Sequence, residues 1–145
     1  DSFQNFSSKP NGQFDAIVCN PPFFSDGCHA PKSQRAVARH TIALSNKDLL
    51  KGAFDLLKED GTLSVILPFL NYDSFCQEAK KTLLNERERL IVYPTPQKSA
   101  VRVLSVWTKI EVDKVVETEM IIEDSGRHNY SKEYTKLTKE FYLKF

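Results

Sequence analysis

Asn20-Pro21-Pro22-Phe23-Phe24 follows directly on the apolar run Phe14-Asp15-Ala16-Ile17-Val18-Cys19. The two prolines remove two backbone donors and fix φ, so the Asn20 and Pro21 carbonyls are held rigidly with no neighbouring N–H competing for them. Such a corner is rich in acceptors. The side-chain amide oxygen of Asn20 takes one hydrogen of a planar amine and the Pro21 carbonyl takes the other. Drawing both hydrogens out of the ring plane of an exocyclic amine such as adenine N6 favours a pyramidal nitrogen with a free lone pair. Methyl transfer from a sulfonium donor would follow in line, and no general base is needed before the nitrogen is alkylated. Phe23 supplies a stacking face for a flat base, worth about 1 to 3 kcal/mol. The plainer reading is a stiff N-P-P turn that only terminates a strand. A long loop after the corner, instead of a hairpin, favours the reactive one.

Two groups of cations bear on this site. Lys32, Arg35, Arg39 and His40 fall within nine residues that contain no acid, and Lys98, Arg102 and Lys109 occupy a second acid-free stretch. Charge runs are commonly solvated faces. The first group, however, lies at the mouth of the corner, where cations can hold phosphates while a base is flipped inward. Phe24, Lys32, Arg35, Arg39, His40, Lys98 and Arg102 are therefore the expected nucleic-acid contacts. Cys28, His29 and His40 lack the spaced partners of a zinc site, so no metal is expected. Ser25, Asp26 and His29 resemble a hydrolase triad only in composition, for no nucleophile elbow accompanies them.

Twenty Lys and Arg against nineteen Asp and Glu leave a formal charge of +1, so nucleic-acid contact must be local and not a bulk attraction. The 145 residues amount to one domain's worth of chain, with 41% hydrophobic residues to build a core. No apolar run nears the roughly 18 residues a membrane span needs. Three cysteines without a C-x-x-C pair, and no signal-peptide pattern, fit a reducing cytoplasmic setting. The five glycines form neither G-x-G-x-x-G nor G-x-x-x-x-G-K, so no nucleotide-cradling loop is encoded.

The elements that must position the corner alternate in type. Phe14 to Cys19 reads as a parallel strand buried on both faces. Ser45 and Asp48 form a capping box for a helix whose Leu49, Leu50, Ala53, Phe54, Leu56 and Leu57 share a face until Gly61 ends it. Thr62 to Leu67 is a second strand, and Asp73 opens a helix carrying Cys76, Ala79, Leu83 and Leu84. Leu90 to Tyr93 and Val101 to Ile110 form an antiparallel pair, and the acidic Val115 to Ile122 is an edge strand. Ser131 caps a last helix with Tyr134, Leu137, Thr138, Phe141 and Tyr142 on one stripe. Residues 1–12 are a polar lead-in and 25–45 a long loop. The pattern predicts an α/β sheet with its ligand site beyond the carboxyl ends of the parallel strands, just after Cys19.

Three stretches carry a family resemblance: F-D-A-I-V-C-N-P-P-F-F at 14–24, A-R-H-T with the following helix and G-T-L-S-V-I-L-P strand at 38–68, and N-Y-S-K-E-Y-T-K-L-T-K-E-F-Y-L-K-F at 129–145. In them the chain resembles the class I adenine-N6 methyltransferases, and most specifically the bacterial members that act on tRNA. The resemblance implies a Rossmann-like doubly wound sheet, S-adenosylmethionine as cofactor, and the adenine beside the anticodon as substrate. It implies Asn20, Pro21, Pro22 and Phe23 as the catalytic motif. The same acceptor corner would serve a protein glutamine or an rRNA guanine N2, and a non-catalytic module is the alternative outside enzymes. Members of the family carry a glycine-rich loop and an acidic residue upstream of N-P-P-F, and this chain has neither. The 145 residues therefore read as a single partial domain, the substrate-side, carboxyl-terminal half of the fold, with Asp1 a remnant of the acidic cofactor contact. Cofactor binding by this piece alone would be weak. A half-sheet also leaves the edge of Phe14 to Cys19 free for self-association.

Overall fold

The computed structural model describes residues 3–7, 13–21 and 44–142. In chain order the elements are α1 (Phe3–Ser7), β1 (Phe14–Cys19), α2 (Asn46–Leu56), β2 (Leu57–Pro68), α3 (Phe69–Ala79), β3 (Asn85–Tyr93), β4 (Arg102–Thr108), β5 (Val116–Ile121) and α4 (Lys132–Thr138). The five strands form one sheet in the order β1-β2-β4-β3-β5. β1 runs parallel to β2, β4 lies antiparallel between β2 and β3, and β5 pairs parallel with β3. The ends of β1, β2, β3 and β5 and the start of β4 therefore share one edge of the sheet.

α2 and α3 cover one face. Ser45 caps α2 by accepting the Asp48 N–H at 3.1 Å, and the helix buries Leu49, Leu50, Ala53 and Leu56. α3 contributes Phe75, whose ring meets Trp107 edge-on at 5.6 Å. Beneath them, alternate residues of the strands point to the same side: Leu63, Val65 and Leu67 of β2, and Val103 and Trp107 of β4. Period-two alternation sends Ser64, Ile66, Leu104 and Val106 to the opposite face, where they line a shallow apolar groove of about 420 Å³ with Val18 and Leu90.

Several expectations are corrected. β1 has its expected bounds and parallel direction, but it is not buried on both faces: it is an edge strand of the sheet, and Val18 is 83% exposed. Gly61 does not end α2. The helix passes straight into β2 at Leu57, and Gly61 instead closes a bulge in which residues 58–61 stand opposite Asp15 alone. A Cβ at Gly61 would lie 2.9 Å from the Phe14 carbonyl oxygen. α3 starts at Phe69 and not at Asp73, since the Phe69 N–H finds the Val101 carbonyl at 3.1 Å and the helix needs no side-chain cap. Leu83 lies beyond α3 and is 74% exposed.

The lead-in holds a short helix, α1, whose Phe3 ring sits so close to Gly52 that no side chain fits there. β3 begins five residues before Leu90, at Asn85. The Ser131 cap is present, its Oγ accepting the Tyr134 N–H at 3.1 Å, but the helix stops at Thr138. Leu137, Phe141 and Tyr142 are exposed, at 59%, 85% and 55%. The edge strand β5 and the antiparallel β3–β4 pair stand as expected. No helix of the described residues is long and apolar enough to cross a membrane.

Candidate functional site

β1 delivers the corner to the edge shared by the strand ends. Cys19, its last residue, pairs with Val65 of β2; Asn20 follows fully outside the ladder and exposed, while Pro21 is buried. The Pro21 ring fixes φ at that residue, and its burial anchors the backbone from which the exposed Asn20 side chain projects. Asn20 and Cys19 also border the apolar groove on the sheet face opposite α2 and α3. Partial burial raises the Cys19 thiol above its ordinary pKa, so it is protonated at neutral pH and is no competing nucleophile. Pro22, Phe23, Phe24, Lys32, Arg35, Arg39 and His40 lie outside the described residues, as does Asp1.

Of the second cation group, Lys98 and Arg102 reach the same edge as Asn20. Lys98 is exposed at the end of the turn after β3, its N–H donating to the Thr95 carbonyl at 3.2 Å. Arg102 opens β4, paired with Pro68 on one side and Val92 on the other. Two strand spacings separate the β1 and β4 positions, about 10 Å. Lys109 leaves this group. It sits at the opposite end of β4, where its Nζ donates to the Leu57 carbonyl at 2.7 Å and lies 4.7 Å from the Phe54 ring centroid. Its charge closes the α2–β2 junction.

A second concavity on the same edge has no counterpart among the sequence signals. It lies between the turn after β3 and the loop after β5, and includes Lys98, Glu123, Asp124 and Arg127. Ser125-Gly126 marks a turn in the sequence, but nothing local says that this turn faces Thr95 to Lys98. Among the described residues, no three His, Cys, Asp or Glu side chains gather as metal ligands would.

The sheet and its crossovers match those of solved structures. A predicted O-methyltransferase from Agrobacterium tumefaciens superposes with a TM-score of 0.61 at 18% identity, over 90% of this chain and 53% of that one. A Listeria monocytogenes protein assigned to the class I S-adenosylmethionine-dependent methyltransferases does so at 0.51 and 13% identity, over 77% of this chain and 38% of that one. The fold is that of a class I methyltransferase. In sequence, the chain is homologous to the tRNA1(Val) (adenine(37)-N6)-methyltransferase of Bacteroides fragilis, with 41% identity over 143 residues. That alignment takes in 98% of this chain and 60% of the relative, so the chain spans less than two thirds of the length of the relative it matches. No protein-family model matches it.

Proposed function

We propose that this chain is the substrate-side half of an S-adenosylmethionine-dependent methyltransferase acting on the exocyclic N6 of an adenine in tRNA, in the bacterial cytoplasm. The observation that carries the reading is the placement of Asn20 and Pro21, one exposed and one buried, immediately beyond the carboxyl end of the parallel strand β1. The names of the curated relatives favour adenine in tRNA over a protein glutamine or a guanine amino group.

In this reading Asn20 Oδ1 and the Pro21 carbonyl accept the two amino hydrogens and turn the nitrogen lone pair out of the base plane. Phe23 would stack on the base, and the ring of Pro22 would fix φ and remove a backbone donor. The neutral, exposed Asn20 suits a cationic sulfonium neighbour, since it adds an acceptor without the charge that would bind the donor as an ion pair. S-adenosylmethionine, when bound, supplies the electrophilic methyl group. The chain's own part is orientation, and the proton leaves to water once the nitrogen has been alkylated. Lys98 and Arg102, with Lys32, Arg35, Arg39 and His40, hold RNA phosphates around the corner. The outer edge of β1, unpaired among the described residues, is where two copies of this half would pair.

The test is transfer of labelled methyl from S-adenosylmethionine to unmodified tRNA by the full gene product, with Asn20→Ala beside the wild type. Transfer should fall by more than about 100-fold while cofactor affinity stays within about twofold. Equal transfer by Asn20→Ala would end the acceptor-corner reading. Calorimetry tests the half-fold part separately: tight S-adenosylmethionine binding by residues 1–145 alone would overturn it.

A further inference from the structure

The turn after β3 and the loop after β5 enclose a cleft of about 610 Å³, lined by Thr95, Gln97, Lys98, Glu123, Asp124 and Arg127 among others. Its walls are tied together by backbone bonds. Ile122 N–H donates to the Tyr93 carbonyl at 2.8 Å and Glu123 N–H to the Pro94 carbonyl at 3.0 Å. Behind them, Asp124 N–H reaches the Asn129 carbonyl at 3.1 Å and Ser131 N–H the Ile122 carbonyl at 2.8 Å. The loop turns at Gly126, whose φ of +117° lies where side chains are strained. Backbone bonds thus fix the two walls of the cleft relative to each other.

Its charges are balanced: two cations, Lys98 and Arg127, and two carboxylates. Among the described residues, each carboxylate accepts a bond on one oxygen. Glu123 Oε1 accepts the His128 N–H at 2.9 Å, and Asp124 Oδ1 accepts the Ser125 hydroxyl at 2.8 Å. The second oxygen of each remains an acceptor. A cleft of zero net charge is not a site for a bare polyanion. It matches a unit with one anion and a neighbouring hydroxyl donor, which is what one ribose-phosphate of RNA presents. Three strand spacings along the shared edge separate β3 from β1, about 15 Å, so the unit would lie a few nucleotides from a base held at Asn20.

We propose that this cleft holds a ribose-phosphate of the strand carrying the target adenine, Lys98 and Arg127 binding the phosphate and Glu123 or Asp124 accepting the 2′-hydroxyl. The inference rests on the RNA-methylation reading and adds to it the group that distinguishes RNA from DNA. The experiment measures binding of an anticodon stem-loop RNA and of its all-deoxy counterpart to the full gene product, by fluorescence anisotropy across a salt series. The Lys98→Ala/Arg127→Ala double variant should bind both strands more weakly, with a log–log salt slope shallower by about 0.7 for each phosphate charge no longer neutralised. The Glu123→Gln/Asp124→Asn variant keeps the bonds to His128 and Ser125 but turns amide donors toward the cleft. It should lower the RNA-to-DNA affinity ratio about fivefold. An unchanged ratio in that variant, or an affinity gain for both strands alike, overturns the 2′-hydroxyl role. An unchanged slope in the first variant overturns the phosphate role. Both results leave the methylation reading standing if the wild type binds the RNA; a wild type that binds no RNA ends both.

Discussion

Trp107 donates its indole N–H to Ser105 Oγ at 2.8 Å, two residues back on the same face of β4 and wholly within the core. A buried indole without a partner loses its water bond and gains nothing, so Ser105→Ala should cost about 1 to 3 kcal/mol of stability. Trp107 is the chain's one tryptophan, so its fluorescence during urea unfolding reports the change directly. A loss below about 0.5 kcal/mol would mean that the pair is not needed to satisfy the indole.

Gly61 faces the Phe14 carbonyl, with room for a hydrogen but not for a methyl group, and Lys58 N lies only 3.1 Å from the same Cβ position. Both neighbours are backbone, so neither can swing aside as a side-chain tip would. Gly61→Ala should therefore push β1 off β2 at its first pair, costing about 1 to 3 kcal/mol. Since β1 carries Asn20, the variant should also speed hydrogen exchange at the amides of β1. Protection equal to wild type would show that the bulge yields without moving the strand.

How far the sequence discloses this molecule depends on the range of the interaction involved. β1 and the start of α2 are legible because their signals are adjacent: an apolar run between turn residues, and Ser45 with Asp48 three places on. The start of α3 is not, since the group that satisfies Phe69 N–H is the Val101 carbonyl, more than thirty residues away along the chain. α1 is stabilised by the fit of Phe3 against Gly52, again a tertiary fact. The stripe from Tyr134 to Tyr142 has helical spacing, but the helix ends at Thr138 and none of its residues is buried, so periodicity overstates both the length of α4 and its burial. The candidate corner is local in sequence and therefore legible. The cleft beside it depends on parallel pairing of β3 with β5, which brings Lys98 and Arg127 together and leaves no mark on either segment alone.

Tyr72, Glu86 and Arg89 form a part-buried network under α3. Glu86 accepts the Tyr72 hydroxyl, Arg89 Nη1 donates to Tyr72 at 3.0 Å and to Glu86 at 3.2 Å, and Arg89 Nε reaches Glu117 at 2.6 Å. Burial raises the Glu86 carboxyl above the ordinary glutamate range, outweighing the Tyr72 and Arg89 bonds that lower it. With its folded pKa above its unfolded one, Glu86 binds more protons when folded. Its contribution is therefore greatest below the unfolded value and declines as pH rises through the folded one. Glu86→Gln should flatten stability over that window, as measured by thermal melts from pH 4 to 7. Arg89→Leu instead leaves Glu86 without its cation and should cost about 3 kcal/mol at neutral pH. A pH profile of Glu86→Gln parallel to wild type would remove Glu86 as its source.

Geometry and chemistry at the corner can be separated by two substitutions. Pro21→Ala keeps the carbonyl proposed to accept an amino hydrogen, but frees φ and restores a backbone donor beside it. If orientation is what the corner supplies, kcat should fall about tenfold with the tRNA KM within about twofold, because only the alignment reached in the transition state is lost. Asn20→Asp keeps two acceptor lone pairs and adds a carboxylate next to a nitrogen that becomes positive as it is alkylated. That variant should remain within about tenfold of wild type at pH 7 and lose activity near pH 4 as the new carboxyl protonates, a limb the wild type lacks. Should Asn20→Asp be as inactive as Asn20→Ala while Pro21→Ala is fully active, the amide of Asn20 would have to act as a donor, and the amine would be held by other groups.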